Sequence, residues 1–215
     1  MSRDDDFWFG AFVVVLFVAL CIVGGYLIVR FQNWRLSLQW RPLLPLFDEV
    51  SLASGGGGGP GGVLRGKHRG RSFAASIAPG VAADSDGDDR FNEFTLALLA
   101  VPGSHDWCVV QRPTGFLGLG KAEWRVEAGS PGLADSLRAS GVVDAAFALG
   151  GEDYTVARTG PVLAYSHSSA RLVLRRDTGK ACTPAPDTLR NDMAALLHWA
   201  EVNAQINRPS AQSPR

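Results

Sequence analysis

The sequence of residues 64–77 is LRGKHRGRSFAASI, and this stretch decides the class of fold. Side chains alternate on both sides of Arg69-Gly70, where glycine supplies the positive φ that a two-residue hairpin turn needs. The register pairs three residues of the first strand with three of the second: Leu64 with Ala75, Gly66 with Phe73, and His68 with Arg71. Because one face of this pairing is apolar and the other is polar, the stretch predicts a half-buried antiparallel hairpin.

The same two-residue period continues along the chain and predicts further strands. Phe94, Leu96, Leu98 and Ala100 recur at every second position of residues 94–100, and in residues 122–127 Ala, Trp and Val alternate with charged residues. Shorter segments with the same composition lie at 107–112, 154–158, 162–167 and 171–176. We therefore expect a sheet built mainly from antiparallel strands.

Two helices are predicted among the strands. Ser130-Pro131 supplies an N-cap and a proline at the first helical position, and Gly141 ends the segment. Asp187 can cap a longer helix whose apolar residues repeat at helical spacing and which ends near Asn207. Strands in series with helices set apart predict an α+β domain with two packing helices. The order of elements also hints at a duplicated half, although the two halves cannot be aligned.

The organisation of the chain follows from its breaker residues. Pro42 and Pro45 interrupt regular structure, and the glycine-rich residues 55–62 are typical of a flexible tether. We therefore predict an anchor and juxtamembrane segment over residues 1–41, a linker over 42–62, the α+β domain over 63–207 and a disordered tail over 208–215.

The anchor is predicted from the uncharged run FWFGAFVVVLFVALCIVGGYLIV, which extends from Phe7 to Val29. At about 1.5 Å per residue, a helix of this length crosses a hydrocarbon core of roughly 30 Å. A cleaved signal peptide is the alternative, and the acidic start MSRDDD and the length of the run argue against it. The lipid bilayer is thus the first predicted partner. Residues 31–40 either extend this helix or lie in the headgroup layer.

The orientation of the anchor is predicted from the basic residues at its two ends. Arg3 and the terminal amine precede the run, whereas Arg30, Arg35 and Arg41 follow it. Since basic residues favour the cytoplasmic side, we expect a single-pass protein with its domain in the cytoplasm.

Overall charge and cysteine content exclude some classes of function. The 21 basic and 21 acidic residues cancel, so no global field attracts nucleic acid, and none is expected as a partner. The cysteines Cys21, Cys108 and Cys182 allow one disulfide in the domain, which is far from a disulfide framework.

Several motifs resemble sites, and each has a simpler structural interpretation. The acidic stretch at residues 84–89 begins like a calcium loop, but Asp89 and Thr95 occupy positions where that loop needs glycine and glutamate. The glycines of GFLGLG at residues 115–120 lack the strand-to-helix setting of a dinucleotide site. The pair Gly24-Gly25, with Cys21, offers a small-residue face for helix association.

Histidines and cysteines form no recognised ligand motif, since neither CxxC nor HExxH occurs. A fold could still bring together the histidines and cysteines outside the anchor, and Asp106, which lies between two of them. These residues are His68, His105, Asp106, Cys108, His167, Cys182 and His198. We predict neither a metal nor a cofactor, and no catalytic residue is identified. Trp107, Trp124 and Trp199 are predicted to be core aromatics.

A basic cluster at the hairpin tip is the remaining candidate, and it comprises Arg65, Lys67, His68, Arg69 and Arg71. It could contact anionic lipid if a linker holds it near the bilayer, or it could be a solvated turn. The sequence favours a non-enzymatic interaction or structural domain that is tethered to a membrane and binds a partner protein, or part of its own assembly, at the membrane surface. The alternative is a membrane-bound enzyme or ligand-binding domain whose site forms only in three dimensions.

Overall fold

A computed structural model of the chain describes residues 3–53, 62–81, 90–113, 122–150, 162–178 and 183–206. The chain divides into two compact units, Met1–Gln39 and Trp40–Arg215. Each unit has its own internal organisation, and they are described in turn.

The first unit is a helix. Helix α1 extends over Arg3–Trp40 and therefore includes residues 31–40 as a continuation of the same helix. Its large apolar side chains between Phe12 and Ile28 are 47% to 67% exposed. In the part of the chain that the structure describes, no helix meets both the length and the hydropathy required to cross a membrane.

The second unit is an α+β domain on one antiparallel sheet. Its eight strands are β1 (Glu49–Ala53), β2 (Val63–His68), β3 (Arg71–Val81), β4 (Arg90–Leu98), β5 (Trp107–Pro113), β6 (Ala122–Ala128), β7 (Leu163–Ser166) and β8 (Arg171–Asp177). The spatial order is β1-β2-β3-β4-β8-β7-β5-β6, and every neighbouring pair is antiparallel.

The central hairpin has the predicted register. Its three predicted pairs all occur, namely Leu64 with Ala75, Gly66 with Phe73 and His68 with Arg71. Arg69 and Gly70 both have positive φ, at 51° and 73°, as a type I′ turn requires. The same face continues through Leu96 and Leu98 on β4 and Leu172 and Leu174 on β8, all of which are fully buried.

Three helices join this buried face of the sheet in one core. Helix α2 extends over Pro131–Ala139, and its N-cap is Ser130, whose hydroxyl accepts a hydrogen bond from the backbone N–H of Leu133. Helix α3 extends over Val142–Gly150, and helix α4 over Pro186–Ile206. Helix α4 packs on β4 and β8 through its apolar stripe, which comprises Leu189, Met193, Leu196 and Ala200.

The count of two packing helices is a correction, because α3 directly follows the Gly141 that ends α2. Its sequence, VVDAAFALG, is nearly all apolar and carries no internal cap, so it lacks the alternation of apolar and polar residues that predicts a helix. The segment 154–158, predicted as a strand, and the tail 208–215 lie outside the described residues.

The end of the predicted juxtamembrane segment and the start of the predicted linker belong to the core. Trp40, Leu43 and Phe47 are buried, and the ring of Trp40 lies 6.2 Å from that of Phe94 between centroids. Pro45 is accommodated in a 3-10 turn over Leu44–Leu46, where its missing N–H is tolerated. The side chains of Trp40, Leu43 and Phe47 are therefore part of the folded domain.

Strand β1 also lies in the predicted linker. It pairs along its whole length with β2, and Ala53 is the register partner of Val63. The glycine-rich residues between these partners therefore connect two paired strands and do not separate an anchor from a domain. Gly66 shows how close the pairing is, because a Cβ there would lie 2.8 Å from the carbonyl oxygen of Glu49 and from the ring of Phe47.

An ion pair between Asp192 of α4 and Arg176 of β8 connects the helix to the sheet. Asp192 is fully buried, and its carboxylate accepts two hydrogen bonds from Arg176, at 2.7 and 3.1 Å. Burial raises the pKa of Asp192 above its ordinary value, and the arginine opposes that shift without cancelling it. The two bonds compensate for a carboxylate that would otherwise be costly to bury.

Candidate functional site

Unusual backbone conformations are concentrated at one end of the sheet. Non-glycine residues with positive φ in the described chain are Arg69, Ala100 and Ala170, at 51°, 56° and 48°. They occupy the β2–β3 turn, the residue pair after β4 and the turn before β8, and these three strand ends are neighbours. We call this region, comprising residues 69–70, 99–106 and 167–170, the turn end. Left-handed conformations of such residues are unfavourable and cluster at binding sites in many proteins.

A cleft of about 570 Å³ opens between the turn end and helix α4. One wall is formed by Arg69, Arg71 and Pro102. The other wall is the surface of α4 and comprises Ala194, Leu197, His198, Ala200, Glu201 and Ala204. The cleft therefore places two guanidinium groups opposite a helix surface that is mostly apolar.

The two arginines of the cleft have no acidic partner in the part of the chain that the structure describes, unlike Lys67, which lies 2.9 Å from Glu49. Both are exposed, and Glu201 is the acidic residue of the cleft lining. A type I′ turn accepts Asn, Asp or Gly at its first central position with less strain than arginine. The hairpin thus carries Arg69 at a backbone cost of order 1 kcal/mol.

A hydrogen-bond network holds the turn end in place. Asn203 of α4 is buried, accepts from the Trp107 indole N–H at 2.8 Å and donates to the Pro102 carbonyl at 2.7 Å. Gly103 allows this approach, since a Cβ there would lie 2.5 Å from the Asn203 amide nitrogen. The network fixes the cleft wall at Pro102 relative to α4.

Tyr165 completes the support from the neighbouring strand. Its hydroxyl donates to the Val101 carbonyl at 3.0 Å. Burial, with a smaller contribution from the Asp106 carboxylate, raises the pKa of Tyr165 above its ordinary value. The neutral phenol therefore persists as a structural donor.

The fold brings together some of the residues that the sequence singled out. Asp106 accepts a hydrogen bond from the backbone N–H of His167, and the Nδ1 of His167 donates to the Gly103 carbonyl at 2.7 Å. The imidazole is thus oriented by a carbonyl and not by the carboxylate. His105 is exposed beside them, and these contacts do not make a base-and-orienter pair of the catalytic kind.

The remaining histidines have different surroundings. The Nδ1 of His68 donates to the Leu46 carbonyl at 2.8 Å, and its ring packs edge-on against Phe73. His198 is exposed, lines the cleft and packs against Trp199. Trp107 and Trp199 are buried as predicted, whereas Trp124 is only partly buried.

Cys108 is poorly suited to act as a nucleophile. Burial raises the pKa of its thiol, and the Glu127 carboxylate, 3.9 Å from the sulfur, raises it further. Both effects disfavour the thiolate that nucleophilic chemistry needs. Among the described residues, no group of three or more His, Cys, Asp or Glu side chains could hold a metal ion. The acidic stretch 84–89, the glycines of 115–120 and Cys182 lie outside the described residues.

The basic hairpin tip is evident from the sequence, whereas its opposing wall on α4 is not. The apolar side chains on α4 that line the cleft lie more than 120 residues further along the chain. A signal was present in Arg69, because arginine at that turn position is unusual. Comparison with known proteins adds nothing to this site: no family model, no curated protein and no solved structure matches the chain.

Proposed function

We propose that the chain is a single-pass membrane protein whose domain is a non-enzymatic binding module for an acidic segment of a partner protein. The observation that carries the binding role is the cleft, where Arg69 and Arg71 stand without an acidic partner in the described chain. Carboxylates of a bound segment would accept charge-assisted hydrogen bonds from the two guanidiniums. Apolar side chains of the same segment would pack on Leu197 and Ala194.

Membrane anchoring is supported by the sequence and exposure of α1. The uncharged run from Phe7 to Val29 is longer at both ends than the stretch Phe12–Ile28 whose side chains the structure describes. The apolar side chains of that stretch are about half to two-thirds exposed, which is unfavourable in water and favourable in a bilayer. The three arginines that follow the run favour a cytoplasmic domain.

We infer a protein segment and not a lipid headgroup because the lining of the cleft is of two kinds. Arg69 and Arg71 suit carboxylates, whereas Ala194, Leu197 and Ala204 offer apolar surface to other side chains of the same segment. The hairpin tip follows β2, and β2 pairs with β1, so the glycine-rich residues do not lead directly from the predicted anchor to the tip.

The cleft is tested by binding of a fluorescent peptide that alternates glutamate and leucine, with the full chain in detergent and anisotropy as the readout. Arg71→Ala is expected to weaken binding about tenfold or more, because a hydrogen bond to a charged group contributes about 1.5 to 3 kcal/mol. Arg65→Ala is the matched control, since Arg65 is also exposed and without an acidic partner in the described chain but faces away from the cleft.

Three outcomes separate this proposal from its rivals. Arg65→Ala should change the affinity by less than about twofold, and a lysine–leucine peptide should not bind. Equal losses for Arg65→Ala and Arg71→Ala would show a general charge effect and contradict a cleft site. Displacement of the peptide by an anionic phospholipid added to the detergent micelles, with no such displacement by a zwitterionic phospholipid, would identify the site as a lipid site instead.

A further inference from the structure

We propose that strand β1 is a homotypic docking edge, at which two copies of this chain pair antiparallel, β1 to β1, and join their sheets. The inference concerns a surface separate from the cleft. It also rests on the proposed membrane anchoring, which supplies the local concentration that a short strand needs.

The first observation is the exposure of β1. This strand stands at the end of the sheet order and pairs with β2 on one side. All five of its residues are exposed, including Val50 and Leu52, at 41% and 40%. A strand edge with apolar side chains is a template for pairing with another chain.

The second observation is the contrast with the opposite edge. Strand β6 carries Glu123, Arg125 and Glu127 on one face, and all three are exposed. Alternating charges of this kind protect an edge from association. The apolar residues Val50 and Leu52 leave β1 without the same row of charges. We therefore expect β1 to be the edge that pairs with another strand and β6 to be the edge that does not.

The third observation is that the sequence of β1, EVSLA, complements itself. A two-fold axis at Ser51 places Val50 of each copy opposite Leu52 of the other. Both of these pairs lie on the apolar face of the sheet. On the other face, Glu49 is opposite Ala53 of the second copy, so no like charges meet. Glu49 already has a cation, the Lys67 ammonium at 2.9 Å.

Other antiparallel registers leave some side chains of β1 without a partner in the second copy. A shift by two residues in either direction pairs Val50 or Leu52 with its own equivalent and leaves the other apolar residue without a partner. Because side chains alternate between faces, a shift by one residue would oppose apolar and polar faces. The register centred on Ser51 is therefore the one that pairs all five residues.

The interface is small, and its size sets a condition on the pairing. Five residues of edge fall well below the roughly 1,200 Å² typical of stable complexes. Each backbone hydrogen bond makes only a modest net contribution, because it replaces a hydrogen bond to water. Pairing should thus be weak between freely diffusing domains and effective between copies held in one membrane, where the effective concentration is high.

The test is disulfide formation by Ser51→Cys in the full chain, reconstituted in vesicles and treated with a mild oxidant. Residues directly opposite in an antiparallel pair have Cα atoms about 4.5 to 5.5 Å apart, within the range that a disulfide spans. We expect most of the Ser51→Cys chains to migrate as a dimer without reductant, well above the background that the native cysteines give in the parent chain.

Ala53→Cys is the matched control, because it lies on the same strand and is also exposed. In the proposed register the two copies of residue 53 are about four residues apart along the strand, roughly 13 Å, which is too far for a disulfide. Leu52→Lys in the Ser51→Cys chain should reduce the dimer several-fold by placing a charge at the docking edge.

Equal dimer yields from Ser51→Cys and Ala53→Cys, or a yield that Leu52→Lys does not change, would overturn the pairing. Flotation of the same vesicles reports anchoring separately. If the chain floats and shows no Ser51→Cys excess, the pairing alone is wrong. If the chain does not float, anchoring is wrong, and crosslinking at high concentration in solution then decides the pairing by the same comparison.

Discussion

A fragment that begins at Trp40 is expected to unfold cooperatively, whereas a fragment that begins at Val63 is expected not to fold. The shorter fragment lacks β1 and three buried side chains, Trp40, Leu43 and Phe47. Burying a large apolar side chain contributes about 1.5 to 3 kcal/mol. Their combined loss is comparable to the roughly 5 to 15 kcal/mol by which most domains are stable.

Urea titration followed by far-ultraviolet circular dichroism distinguishes the two fragments. A sigmoidal transition is expected for the fragment from Trp40, and a gradual change without a folded baseline for the fragment from Val63. Similar midpoints for both would mean that residues 40–53 lie against the domain without stabilising it, and that the predicted linker over 42–62 was the better description.

Trp40→Ala in the full chain in detergent is expected to lower the free energy of unfolding of the domain by about 3 to 5 kcal/mol. The side chain is fully buried and packs against Phe94. Trp40→Phe is the matched control. The indole N–H of Trp40 has no hydrogen-bond partner among the described residues, so phenylalanine removes no hydrogen bond and keeps most of the packing.

Trp40→Phe is therefore expected to cost less than about 1.5 kcal/mol, the usual limit for hydrophobic exchanges of similar shape. Both values come from chemical denaturation at fixed detergent concentration. Equal effects of Ala and Phe would point to a hydrogen bond of the indole, and no effect of either would place Trp40 outside the core.

The hairpin was predictable because its register depends on neighbours in sequence. Alternating side chains and Arg69-Gly70 together allow one pairing, and the structure has that pairing. The cap at Ser130 and the apolar stripe of α4 were predictable for the same reason, since each is defined within one or two helical turns.

The start of the domain was not predictable in this way. Pro45 and the glycine-rich residues interrupt helices and strands, which is also what a linker between domains does. In the structure Pro45 lies in a 3-10 turn, and the glycine-rich residues stand in the sequence between the paired strands β1 and β2. Burial of Trp40 depends on contact with Phe94, which is 54 positions further along the chain. Long-range packing of this kind leaves no local pattern in the sequence.

The cleft was half predictable. The basic tip is contiguous in sequence, and residues 64–77 contain no aspartate or glutamate. Its other wall is a surface of α4 that lies mostly outside the apolar stripe facing the sheet. The helical period in the sequence predicts that stripe and does not predict what lies against the rest of the helix. The order of the strands in the sheet decides which turn approaches this surface of α4. That order includes a crossover that places β8 beside β4, and no single segment of the sequence predicts it.

The central claim, a membrane-anchored domain that begins at Trp40, is tested most directly by vesicle flotation after an alkaline wash. The full chain is expected to float with the vesicles, and the fragment from Trp40 to remain in the aqueous fraction, because the uncharged run from Phe7 to Val29 is present only in the former. Recovery of the full chain in the aqueous fraction, or flotation of both proteins alike, would contradict the claim.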